Sequence, residues 1–316
     1  MNNSIKKSLK IILPLAFGGF LVWYSLSSIS IPTLVSYFQN ANYWWIGLGL
    51  FFGVLSHLSR AYRWKFMLEP IGYKPKFTNS VLAVLVGYLV NLAIPRAGEV
   101  SRAAVLANYE DVPFEKGFGT IVAERIADLI MMLCIIIITL FVQFDFIYEL
   151  LTKNFDPTKI IIILIGVLVV FYIFTQYIKK AKKGIALKIK KFVSGLAEGL
   201  TSIFKMKNKW AFIFHTVFIW AMYVAMFWAT IPAIEGLQVP FGGILIGFIA
   251  GGFSIAATNG GIGLYPIAVA GALALFGIPE EPATAFGWIM WTAQTAMIII
   301  FGGLSFLVLP IYNKNK

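Results

Sequence analysis

Apolar residues come in runs close to the ~20 residues that a helix needs to cross a hydrocarbon core. Full-length spans are readable at about 11–29, 43–62, 118–143, 160–178, 210–231 and 284–310. Two further apolar regions, about 78–108 and 241–277, are each interrupted near the middle. The first break is Pro95-Arg96-Ala97-Gly98-Glu99 and the second is Asn259-Gly260-Gly261-Ile262-Gly263. Both combine helix-breaking residues with polar groups, so each region is expected to be a discontinuous helix.

The distribution of lysine and arginine predicts the topology. Lys6, Lys7 and Lys10 place the N-terminus in the cytoplasm, and the segment 30–42, free of both residue types, reads as an outside loop. Arg60, Arg63, Lys65, Lys74 and Lys76 bring the chain back inside. The segment 179–209 holds ten basic residues against one acid, Glu198, and must be cytoplasmic too. If residues 78–94 crossed fully, that segment would land outside. The conflict vanishes if 78–108 dips in from the cytoplasm and leaves on the same side. The second interrupted region then enters from outside and returns there, near Glu280 and Glu281, and the last span ends inside at Lys314 and Lys316. An N-terminal stretch of three lysines before apolar 11–24 resembles a signal peptide; an uncleaved first span is the expected form.

The two interrupted regions overlay at an offset of about 165, with Gly87-Tyr88 on Gly252-Phe253 and Gly98 on Gly263. Each unit reads span, hairpin, span, with opposite orientation, the pattern of inverted-repeat transporters whose sites lie at the midplane. The expected architecture is an all-α integral membrane domain of about six full spans plus two re-entrant hairpins. Repeat 1 covers about 43–143 and repeat 2 about 210–310. Between them, 160–209 holds a linker span and a cytoplasmic amphipathic segment with Ile185, Ile189, Phe192, Val193 and Leu196 on its apolar side. Two glycine-rich kinks in an ordinary bundle is the competing reading.

Composition narrows the function. Of 316 residues, 59% are hydrophobic and only 13% charged, which leaves no polar stretch in which a soluble catalytic domain could fold. The net charge of +12 lies beside apolar runs, as in loops facing an anionic leaflet, so nucleic acid is not an expected partner. The single Cys134 lies in an apolar run, and His57 and His215 lack companions at metal-ligand spacing; neither a metal nor a cofactor is expected. Glycines at 49 and 53, and at 243, 247 and 251, fit close helix packing.

The candidate chemistry lies inside the membrane. The first hairpin carries Arg96, Glu99 and Arg102 at spacings of three, and the next span carries Glu124, Arg125 and Asp128. Each ionised group at bilayer depth costs about 2.5–3.5 kcal/mol. Six so close together are expected to pair or to line a wet cavity, and are functional candidates. A helix starting near Gly98 would offer free N–H groups at the hairpin tip, and Arg96 beside it matches a phosphate. Glu124 and Asp128, at i and i+4, would pair with the hairpin arginines. A purely structural ion-pair lock is the alternative. The uncharged second hairpin offers Asn259 and the backbone of Gly260, Gly261 and Gly263 to a ligand, or simply packs. Arg60, Arg63 and Lys65, near Trp64 and Trp44/Trp45, read as a membrane-surface anchor.

At these residues the chain resembles the flippase-like family known as the lysylphosphatidylglycerol synthase transmembrane region. The resemblance rests on Arg60-Ala-Tyr-Arg63-Trp64, Gly87-Tyr88, Asn91, Pro95-Arg96-Ala97-Gly98-Glu99-Val-Ser-Arg102, Glu124-Arg125-Ile-Ala-Asp128 and Gly260-Gly261-Ile262-Gly263. It extends over essentially the whole chain. It implies a domain that translocates or handles lipids, such as aminoacylated phospholipids or polyprenyl-linked carriers. The family's second motif usually reads Pro-Gly-Gly-x-Gly-x-x-Glu; here Asn259 replaces the proline and Pro266 the glutamate. No synthase domain is readable, so the chain is not expected to make lysylphosphatidylglycerol by itself. The leading expectation is a lipid flippase or head-group transporter of the inner (cytoplasmic) membrane, both termini cytoplasmic. Arg96 and Arg102 would bind an anionic head group, and Glu99, Glu124 and Asp128 would balance charge. Its expected partners are phospholipids or polyprenyl phosphates, with a separate lipid-modifying enzyme as a further possible one. An ion-coupled transporter of a small anionic solute is the alternative, and a membrane-embedded lipid-modifying enzyme a less favoured one because no catalytic constellation is visible.

Overall fold

The computed structural model describes residues 18–154, 156–180, 183–187, 190, 194 and 206–314. Among these, regular structure is helical throughout, with no strand. The helices are α1 (Gly18–Ser27), α2 (Ile31–Asn40), α3 (Tyr43–Leu68), α4 (Phe77–Ala93), α5 (Ala97–Glu110), α6 (Phe114–Val142), α7 (Phe144–Asn154), α8 (Pro157–Lys180), α9 (Lys209–Thr230), α10 (Phe241–Ala257), α11 (Leu264–Ala274) and α12 (Glu280–Tyr312). The chain forms two compact units: residues 1–122 with 210–316, and residues 123–209. The basic segment 179–209, predicted to be an amphipathic surface helix, lies mostly outside the described residues.

Among the described residues, three helical stretches, Phe114–Val142, Lys209–Ala233 and Glu280–Tyr312, are long and apolar enough to cross a membrane. The pair α1 and α2 adds a fourth if counted as one span, though it bends by 84° at residues 28–30. The protein is an all-helical multi-pass membrane protein.

One expectation changes. Residues 30–42 are not a loop: Ser30 caps α2, its hydroxyl accepting the Thr33 N–H at 3.2 Å, and Pro32 sits in the first turn where its missing N–H costs nothing. The second apolar run belongs to a helix, α3, that continues to Leu68, so Arg60, Arg63 and Lys65 all lie within it. The stretch after Val142 holds the helix α7.

Both interrupted regions are helical hairpins in the first unit. In the first, α4 and α5 join through residues 94–96 and run antiparallel. Asn91 pairs with Gly98 near the tip, Gly87 packs on Arg102 in the middle, and Asn79 meets Glu110 at the open end. In the second, α10 and α11 pair the same way, Gly251 against Tyr265 and Gly247 against Leu273. In lipid, helix association depends on close packing rather than on expelling water. A Cβ on Gly98 would collide with the Gly87 carbonyl oxygen, so the α4–α5 contact requires glycine there.

Each hairpin has its own core. One gathers Ala61, Trp64 and Leu68 of α3 with Ala83, Leu106 and Ile121. The other gathers Ile46, Phe227, Val269, Leu273, Phe286 and Ile289. The last helix serves both: Gly287 of α12 lies against Pro266 of α11, and Gly302 against Leu85 and Leu89 of α4.

Candidate functional site

The site is built on the second half of α3. Arg60, Arg63 and Trp64 share one face at i, i+3 and i+4. That face turns into the protein: Arg60 is 2% exposed and Arg63 is 0% exposed. The two residues that read as a membrane-surface anchor in the sequence thus pack their side chains into the protein. Both side chains face α9. The Arg63 guanidinium donates through Nη1 to Thr216 Oγ1 at 2.9 Å and lies 5.3 Å from the Phe212 ring centroid. Arg60 Nη2 reaches the Tyr223 hydroxyl at 3.5 Å. Lys65 alone keeps a partly exposed position, beside Glu69 at 3.8 Å.

The first hairpin supplies a third buried guanidinium. Arg102 is 3% exposed and lies over the Trp64 ring, 4.3 Å from its centroid. Trp64 is fixed from its other edge, its Nε1–H donating to Thr120 Oγ1 at 2.8 Å. A guanidinium over an indole is held by the ring quadrupole and keeps its planar fork for an anion. Gly87 gives way to the Arg102 stem; a Cβ there would stand 2.7 Å from Arg102 Cγ.

The hairpin tip differs from its expected design. Arg96 occupies the residue before α5 with φ of 63° and is exposed. The Gly98 N–H donates to Asn91 Oδ1 at 2.7 Å, and the Ala97 N–H to Ile94 O at 3.2 Å. These two amides of the first turn are therefore used within the hairpin. Glu99 is half-buried, on the same helix as Arg102.

The second hairpin meets the first at its tip. Asn259 Nδ2 donates to Leu92 O at 2.7 Å, and Trp291 Nε1 donates to Gly260 O at 2.8 Å. Gly260, Gly261 and Gly263 all have positive φ. Gly263 packs against the backbone of α1, where a Cβ would stand 2.6 Å from the Leu21 carbonyl carbon.

In the second unit, Glu124 is 0% exposed, Asp128 is buried and Arg125 is half-buried. Arg125 Nη1 donates to Asp128 Oδ2 at 3.4 Å. Within the first unit, then, the structure joins Arg102 to the Trp64 face of α3 and Asn259 to the first hairpin, while Arg96 stands apart as an exposed tip residue.

Sequence reasoning missed the contribution of α9. Thr216, Trp220 and Tyr223 recur at i, i+4 and i+7 within an apolar run, a polar stripe that marks a helix facing polar partners.

The family model described as lysylphosphatidylglycerol synthase TM region matches residues 11–302. The UPF0104 membrane protein of Methanocaldococcus jannaschii is 30% identical over 151 residues, 45% of each chain. The glycosyltransferase AglD of Haloferax volcanii is 32% identical over 78 residues, 24% of this chain and 12% of that protein. The matched stretches span less than half of either relative. No solved structure matches the chain.

Proposed function

Because the chain belongs to the lysylphosphatidylglycerol synthase transmembrane family, we propose that it moves lipids across the membrane by binding an anionic head group. Arg60, Arg63 and Arg102 form the binding surface. The observation that carries this reading is the burial of three guanidinium groups, none more than 3% exposed, in a membrane protein. Each costs about 2.5–3.5 kcal/mol at bilayer depth, a cost offset when the groups have a task or a partner there. Guanidinium pairs bidentately with a phosphodiester.

The hairpins support a pathway for such a ligand. α5 has 14 residues and α11 has 11, or about 21 and 16 Å of helix, short of the ~30 Å core. We assign them as re-entrant arms that open to opposite faces of the membrane, with both termini in the cytoplasm. The tip contact between Asn259 and Leu92 joins the two inverted halves, which move against each other in transport. Phospholipid is the preferred cargo, and a lipid-linked sugar carrier is the second, favoured by the glycosyltransferase that shares a stretch with this chain. We assign translocation without bond making.

The test is reconstitution of the purified chain in vesicles holding fluorescent phosphatidylglycerol, quenched from outside. The wild type should expose inner-leaflet label to quencher, and Arg102→Ala should not. Equal translocation by the two proteins rejects the assigned surface.

A further inference from the structure

We propose that His57 is a proton-binding site whose occupancy is coupled to the anionic head group, making transport proton-linked. This rests on the head-group reading above.

His57 stands one turn before Arg60 on α3 and is 8% exposed. Its Nδ1 has no hydrogen-bond partner among the described residues. The ring lies 4.6 Å from that of Tyr88 on α4 and 6.3 Å from that of Tyr223 on α9, centroid to centroid. The two phenol oxygens are 3.4 Å apart, and Tyr223 also takes the long contact from Arg60. Trp220 completes the group, edge-on to Tyr223, with its buried Nε1 also lacking a partner among the described residues. Among the described residues, the titratable or charged groups that face His57 include Arg60 from its own helix, Tyr88 from α4 and Tyr223 from α9.

A buried imidazole nitrogen left without a bond costs about 1–3 kcal/mol, and structures retain such groups where they serve a purpose. The other histidine provides the contrast. His215 Nδ1 is bonded to Ser59 Oγ at 2.8 Å, and its ring packs on Tyr62 and Phe66. It is a satisfied structural residue. His57 is not.

The coupling follows from charge. With no anion bound, a proton on His57 would place a second positive charge beside Arg60 in a low-dielectric interior. A phosphate drawn to Arg60 cancels that charge and favours the proton. Binding equilibria are reciprocal, so the proton must favour the phosphate by the same factor. The connection to the rest of the surface is direct: Tyr88 follows Gly87, on which the Arg102 stem packs.

The chain has only two histidines, so imidazole nitrogen NMR resolves both in the full-length protein in micelles. The probe is dihexanoyl phosphatidylglycerol, with binding followed independently by the rise in unfolding temperature. Near pH ~6.5, the ordinary imidazole value, His57 should be neutral without lipid and charged at saturation, while His215 does not change. Lipid affinity should rise about tenfold between pH ~8 and ~5, and in His57→Gln by less than about twofold. A wild type that binds the lipid while His57 stays neutral overturns the coupling and leaves the head-group reading standing. Absence of lipid binding at either pH overturns both. The wild-type spectra decide the matter even if the variant fails to fold.

Discussion

Trp64 illustrates how one residue can do two things in the interior of this protein. The indole face holds the guanidinium at 4.3 Å while the indole N–H is committed to Thr120. A lysine in place of Arg102 keeps the charge but loses the planar stack, worth about 2 kcal/mol when desolvated. Arg102→Lys should therefore lower the unfolding free energy by that amount in detergent, and slow lipid translocation without abolishing it. Trp64→Phe keeps a ring for Arg102 but strips the donor from Thr120, and should cost about 1–3 kcal/mol in the same unfolding measurement. At this scale the sequence marked Arg102 by motif and charge. It did not reveal the burial of Arg60 and Arg63, since a cluster of cations at the end of an apolar run looks the same whether its side chains face solvent or protein. Their i, i+3, i+4 register with Trp64 was the signal that separates the two cases.

The hairpins depend on a few contacts that only the folded helices bring together. At the open end of the first, Asn79 and Asn313 exchange reciprocal amide hydrogen bonds at 2.9 Å, and Asn79 Nδ2 donates to Glu110 Oε1 at 2.5 Å. Both asparagines are buried, so this clamp ties the start of α4 and the end of α5 to the end of α12. Removing either amide leaves its partner unsatisfied, and Asn79→Ala or Asn313→Ala should each cost about 1–3 kcal/mol of unfolding free energy. The double variant should cost less than the sum by about 0.5–3 kcal/mol in a mutant cycle; additivity would mean the clamp contributes nothing. The breaks at Pro95-Arg96 and at Asn259–Gly263 were legible, because helix breakers and polar groups interrupt otherwise apolar runs. The clamp was not, since residues 79, 110 and 313 are far apart in sequence and none stands out by type. The short helix α2 was also hidden: its lack of lysine and arginine suggested a loop, although Ser30 followed by Pro32 is a helix-start signal.

Across the whole first unit, α12 provides a common support, with 33 residues, or about 50 Å, touching one hairpin at Gly287 and the other at Gly302. The overlay of the two hairpins at an offset of about 165 matches Gly98 with Gly263, yet these glycines have different duties: the first packs within its own hairpin and the second against α1. Sequence similarity between the halves therefore reflects their break points more than shared contacts. What makes the halves equivalent in the proposed mechanism is their opposite orientation, and that can be tested without any ligand. In a Cys134→Ser background, which removes the single native thiol, single cysteines are placed at the exposed positions Lys76, Glu115, Gln238 and Glu280. They flank the first and second hairpins. If each hairpin returns to the face it entered, Lys76→Cys and Glu115→Cys will react with an impermeant maleimide only from the cytoplasmic side. Gln238→Cys and Glu280→Cys will react only from the outside. Labelling of Lys76→Cys and Glu115→Cys from opposite sides would make α4 and α5 a crossing segment. Two short arms with a buried arginine between them would then have to span the hydrocarbon in one pass, and the paired access routes would be lost.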